Sequence, residues 1–135
     1  MGVSIEAGRR AAPDPGDAFN SDCPGRTVLD HVCSRWGTLI LLSLRERPAR
    51  FYELRDAIGG ISEKMLSQNL RTLTRDGLIH REVEPATPPK VTYSLTDLGQ
   101  ELTTPLRGLL DWVLVRTVDV VKAQRRHDRQ HKAGA

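Results

Sequence analysis

ISEKMLSQNLRTLTRDGL, residues 61–78, is the stretch on which the fold turns. At ~100° per residue, Leu66, Leu70 and Leu73 fall within about 60° of one another, the buried stripe of an amphipathic helix. Lys64, Gln68, Arg71 and Arg75 fall on the opposite arc, flanked by Ser67 and Thr72, with Glu63 off that arc. Ser62 stands where an N-cap belongs, and Glu63 in the first turn suits the positive end of the helix dipole. Ile61 and Leu66 take the N′ and N4 positions, the spacing of a hydrophobic staple that fixes the angle of chain entry. Gly77 closes the segment. A solvated surface helix shows the same periodicity, so the neighbouring segments must separate the two.

Upstream, RFYELRDAIGG (residues 50–60) places Phe51, Leu54 and Ile58 at i, i+3 and i+7, and Gly59-Gly60 supply a left-handed helix stop. A short helix, a three-residue Gly-containing turn and a longer helix make a helix-turn-helix. Downstream of Gly77 the period becomes two. Ile79, Arg81 and Val83 alternate with His80, Glu82 and Glu84, then Val91, Tyr93 and Leu95 with Thr92 and Ser94. Between them PATPPK (85–90) forms a tip whose prolines cannot donate to a ladder. A β-hairpin directly behind a helix-turn-helix is the order of a winged helix. The expected class is α+β: a mostly helical winged helix-turn-helix with a hairpin wing and further helices at its two ends.

The flanks fit that scaffold. Residues 1–21 are small, polar and interrupted by Pro and Gly, the composition of a mobile arm. Order is expected from Asp22-Cys23-Pro24, with Pro24 in a first helical turn and Val28, Leu29 and Val32 at helical spacing. WGTLILLSLRER (36–47) is apolar almost all round, so it belongs at the centre, and Pro48 ends it. Thr96 can cap a last helical region in which Pro105 should force a kink or a restart near Thr104. Leu98, Leu102, Leu106, Leu109, Leu110, Val113, Val118 and Val121 give that region more apolar surface than one small domain needs. The division is therefore an arm (1–21), a winged helix-turn-helix domain (22–121) and a basic tail (122–135).

Charge bears on function only once it is located. The 135 residues carry 20 Lys and Arg against 17 Asp and Glu, a formal +3. The tail holds Lys122, Arg125, Arg126, Arg129 and Lys132 against Asp128, a net of +4, so the rest of the chain is at −1. Bulk charge thus says nothing of nucleic acid; the acid-free row Lys64/Gln68/Arg71/Arg75 does. No apolar run approaches ~18 residues, and Arg9-Arg10 is not followed by a signal-peptide core, so a cytoplasmic protein without membrane spans is expected. No phosphate-binding glycine loop, nucleophile–base set, paired carboxylates or metal-ligand spacing is present, and neither catalysis nor a cofactor is expected. His31 and His80 read as surface residues, Asp76 and Asp97 as helix-end residues, and Met65 as packing beside the helix core.

A major groove admits an α-helix and presents base edges to it: arginine or lysine bonds guanine O6 and N7, and glutamine bonds adenine N6 and N7. The run from Cys23 to Leu102 resembles the HxlR-type winged helix-turn-helix regulators of bacteria, of MarR-like architecture. The likeness extends over residues 23 to about 112. It rests on the Cys-Pro start, the Arg-Trp lead into the Leu-rich helix, RFYELRDAIGGIS, LSQNLRTL, DGLI and PPKVTYSLTDLG, which together are far more specific than any one alone. The resemblance implies a homodimer on a palindromic operator in double-stranded DNA, acting as a repressor, with terminal helices forming the dimer. It places Ser62, Lys64, Ser67, Gln68 and Arg71 at the groove and Lys90 on the wing. Arg75, nearer the helix end, is expected at phosphate. The chain departs from the family at Cys33-Ser34, where glycines are usual, and in its longer arm and basic tail. A winged helix without DNA binding, docking a protein partner instead, is the alternative that this scaffold allows.

Cys23 stands at a helix start beside Pro24 and near Arg26, where amides and a cation favour the thiolate. Some members of the family sense oxidants or electrophiles at this Cys-Pro position, so Cys23 is a candidate redox sensor; a small-molecule effector between helices at the dimer interface is the other candidate signal. A cysteine that merely fixes the helix start is the structural alternative. Cys33 is expected in the core. A helix between the two holds them roughly 15 Å apart at ~1.5 Å per residue, beyond disulfide reach within one chain.

Overall fold

The computed structural model describes residues 17–133. Helix α1 (Pro24–Val32) is followed by α2 (Arg35–Glu46), a two-residue strand β1 (Ala49–Arg50), α3 (Phe51–Ala57), α4 (Glu63–Arg75), the hairpin β2 (Ile79–Glu84) and β3 (Lys90–Leu95), and α5 (Asp97–Ala133). The sheet is antiparallel in the order β1-β3-β2. This is a winged helix-turn-helix, with α3 and α4 as the two helices and β2–β3 as the wing.

Each boundary has a local cause. Ser62 caps α4, its Oγ accepting the Met65 N–H at 3.1 Å. At the other end Gly77 takes φ +77°, its N–H donates to Thr74 O at 3.0 Å, and the Leu78 N–H reaches Leu73 O at 3.1 Å. That pair of bonds is a Schellman motif, and Leu73 and Leu78 supply its apolar contact from within the core. Thr96 then ties the wing's exit to this helix end: its hydroxyl donates to Gly77 O at 2.7 Å and accepts the Gly99 N–H at 3.0 Å as α5 begins. Arg47, before Pro48, is fully extended (φ −174°, ψ 159°), and α2 ends there.

The core gathers Ile40, Leu41, Leu42 and Leu44 of α2 around Leu54, Ile58, Ile61, Leu66, Leu70, Leu73, Leu78, Ile79 and Leu106. Met65 packs against it, as the periodicity requires. α2 is central, touching α1, α3, α4, α5 and β3. Both staple residues, Ile61 and Leu66, are buried.

Several expectations need correction. Cys33 is exposed as the C-cap of α1, because the chain must leave the apolar stripe there to reach Ser34, the N-cap of α2. Gly60, not Gly59, takes the left-handed conformation, and the turn between α3 and α4 is longer than three residues because Ile58 already leaves the helix as an extended cap. Pro105 does not restart the last helix: α5 runs 37 residues through it. Residues 122–133 are part of α5, a basic helix end. Lys90 belongs to β3 rather than to the wing tip. The strand β1, pairing Ala49 with Tyr93 and Arg50 with Thr92, had no periodicity to announce it. Of the polar arm, residues 1–16 lie outside the described residues.

Candidate nucleic-acid interface

On α4 the sequence builds two unlike faces. Leu66, Leu70 and Leu73 are at 0–2% exposure, and the opposite side carries Lys64, Ser67, Gln68, Arg71 and Arg75, all exposed. The acids that flank this row are each engaged elsewhere: Arg55 of α3 reaches the Glu63 carboxylate at 3.0 Å and that of Asp56 at 3.4 Å, and Asp76, the C-cap, meets His31. The hydrogen bonds to Glu63 and then to Asp56 raise the Arg55 pKa, and its one charge is shared between the two carboxylates. Ser62 stands at the N-terminal end of the row. Its oxygen accepts the Met65 amide.

The wing divides by pleat. Residues directly opposite in register are Ile79 with Leu95, Arg81 with Tyr93 and Val83 with Val91; the alternate pairs are His80 with Ser94, Glu82 with Thr92 and Glu84 with Lys90. Successive side chains point to opposite faces. Ile79 is buried, so its phase, with Arg81 and Tyr93, faces α4, while Glu82, Glu84 and Lys90 share the outer face. The structure therefore groups Lys64, Ser67, Gln68, Arg71 and Arg75 and sets Lys90 apart, opposite Glu84. In its place Arg81 and Tyr93 join Ser67, Arg71, Thr74 and Arg75 around an open groove of about 460 Å³ between helix and wing. Arg81 was legible in principle: it is a cation in the apolar phase of the first wing strand.

A further tie escaped the sequence. His31, near the end of α1, meets Asp76, the C-cap of α4, with Nδ1 2.7 Å from Oδ2 in a partly buried pair. Cys23 is the N-cap of the same α1 and is fully buried. Among the described residues no three potential ligands converge on a metal site, and no helix is long and apolar enough to cross a membrane.

A recognition helix held by caps at both ends, a hairpin behind it and an exposed cationic row define a DNA-binding regulator of the winged-helix class. The model of the HxlR-like helix-turn-helix family matches residues 31–118, and the chain belongs to that family. It is 48% identical over 106 residues to the HTH-type transcriptional regulator YtfH of Escherichia coli, covering 78% of this chain and 84% of that protein. Among solved structures, the transcriptional regulator ytfH of Salmonella typhimurium superposes with a TM-score of 0.75 at 47% identity, over 80% of this chain and 96% of the other. The redox regulator HypR in its reduced form gives a TM-score of 0.67 at 33% identity, over 74% and 98%. The chain is thus a transcriptional regulator with a helix-turn-helix DNA-binding fold.

Proposed function

We propose that this chain is a homodimeric, sequence-specific repressor that binds a palindromic operator, reading base edges with Lys64, Gln68 and Arg71 of α4. The observation that carries this is the acid-free row on a doubly capped helix whose flanking carboxylates, Glu63 and Asp76, are engaged by Arg55 and His31. Ser62 and Ser67 add hydroxyl contacts, and Arg75 meets phosphate. Lys90 contributes phosphate attraction from the outer face of the wing, tempered by Glu84 across the strand.

Dimerisation falls to the terminal helices. Leu98, Leu109, Trp112, Val113 and Val120 are 41–59% exposed, and at ~100° per residue they fall on an arc of about 100° beside the buried stripe of α5. Val28 and Leu29 of α1 are also exposed, at 43% and 49%. Apolar surface of this extent suits a partner of the same kind. Residues 22–121 would carry both binding and dimerisation.

The signal we favour is an oxidant or electrophile acting at the Cys23 thiol. The likeness to HypR, solved in reduced and oxidised forms, supports it. So does the place of Cys23: burial at the N-terminus of α1 means that modifying the sulfur must displace the helix start. Selection of bound duplexes from a random pool, with and without diamide, tests the whole proposal. A palindrome recovered only without oxidant is expected. Recovery of no preferred sequence would favour the scaffold as a protein-docking module.

A further inference from the structure

The last turns of α5 carry two unlike faces. At ~100° per residue, Lys122, Arg125, Arg126, Arg129 and Lys132 fall within about 120° of one another, and His127 and His131 lie on the opposite side. Because α5 runs unbroken to Ala133, the two histidines stand at i and i+4, one turn apart on one face. Residue order conceals this pair while 122–135 is read as a tail. Both side chains are exposed, and their ring centroids are 3.9 Å apart at an interplanar angle of 32°. His131 Nδ1 lies 3.1 Å from the His127 carbonyl oxygen. A carbonyl oxygen only accepts, so Nδ1 carries the proton and the lone pair of the neutral ring is at Nε2. One ring nitrogen bonded to a carbonyl, with the other left as a ligand, is the arrangement of metal-binding histidines. The His127 ring makes no hydrogen bond among the described residues and can turn to meet it.

We propose that His127 and His131 form a clamp for a divalent late first-row transition metal ion, of the Cu²⁺, Ni²⁺ and Zn²⁺ class. Imidazole nitrogens suit these ions, and i,i+4 is the spacing by which a helix presents two of them to one zinc ion. Metal–nitrogen bonds of ~2.0–2.1 Å require the two ligating nitrogens to stand roughly 3 Å apart. Rotation of exposed rings whose centroids are 3.9 Å apart reaches that spacing. The five cations of the helix end point away from the site, and at physiological salt their repulsion is screened over ~8 Å. Two protein ligands leave coordination positions open. Leu109, Val113 and Val120 share an arc of about 40° with the histidine pair, so the clamp continues the apolar stripe on which the proposed dimer rests. Only the filling of the open positions by a second copy rests on that reading; the clamp itself does not.

The test is calorimetric titration of the full chain, without an affinity tag, with NiCl₂, ZnCl₂ and, as the hard-cation control, MgCl₂. Wild type is expected to bind Ni²⁺ and Zn²⁺ but not Mg²⁺. His127→Gln and His131→Gln each lose that binding, while the Tm and helical circular dichroism of the metal-free protein stay as in wild type because both side chains are exposed. His131→Gln/Lys132→His loses it as well, since it keeps the number of histidines but moves one ring ~100° round the helix. His80→Gln and Cys33→Ser, which remove the exposed imidazole of the wing and the exposed thiol, keep it. One ion per chain means that water completes the site, and one ion per two chains that a second copy does; both support the clamp. Sedimentation of the metal-free chain decides the dimer separately, so a monomer that takes up one ion per chain fails the dimer reading and keeps this one. No binding by wild type, equal uptake of Mg²⁺, binding retained in the His127 and His131 variants, or binding lost in Cys33→Ser or His80→Gln overturns the proposal.

Discussion

Arg71 sits at the middle of the exposed row of α4, about two and a half turns past the Ser62 cap, and it borders both the groove beside the wing and the outer surface of the helix. If its guanidinium meets a base edge, Arg71→Ala should cost ~1–3 kcal/mol on the operator and much less on a random duplex. Anisotropy with both duplexes checks this, and equal losses would reassign Arg71 to phosphate. Arg55 and Glu63 make a second case at this scale. Removing the guanidinium in Arg55→Ala leaves the Glu63 carboxylate uncompensated beside the DNA face. Operator affinity should fall at low salt, recover in the Arg55→Ala/Glu63→Gln double variant, and show little difference at high salt, where exposed charges are screened. A loss that persists in the double variant would point to a direct DNA contact by Arg55.

The recognition helix as an element depends on its ends more than on its propensity. Its Ser62 cap satisfies one of the orphan amides of the first turn, so Ser62→Ala should lower stability by about 1 kcal/mol in urea unfolding. Ser62→Asp, which restores the cap, should recover that stability while weakening DNA binding by placing a second carboxylate at the head of the row. The His31–Asp76 bond joins α1 to the far end of the same helix. Both partners are part-buried, so His31→Ala should cost roughly 1 kcal/mol, read by the same unfolding experiment. Through this bond α1 is tied directly to the C-terminal end of the recognition helix.

At the scale of the molecule the proposed dimer rests on the exposed apolar arc of α5. Trp112→Glu should yield a chain that sediments as a monomer while keeping its helical circular dichroism. Its operator affinity should fall on the order of 10²–10⁴-fold, because two linked half-sites bind with far greater avidity than one. A dimer surviving that substitution would move the interface off this arc. The 37-residue length of α5 carries the cations of residues 122–132 along the same helix beyond the packed domain.

Much of this was legible in residue order alone, because helix caps, period and turn chemistry are local. Ser62, the Ile61–Leu66 staple, Gly77, the change of period after Gly77 and the Thr96 cap all act within a few residues of themselves. Elements and cationic row therefore followed from sequence. What needed tertiary structure were relations between residues distant along the chain. The pairing of His31 with Asp76, the strand β1 against β3, and the compensation of Glu63 by Arg55 each depend on how elements pack, as does the burial of Cys23 and the exposure of Cys33. Lys90 and Arg81 show the difference most plainly. Both are wing cations in the sequence, but the pleat assigns Arg81 to the face that meets α4 and Lys90 to the face that does not, and only the buried Ile79 decides which face is which.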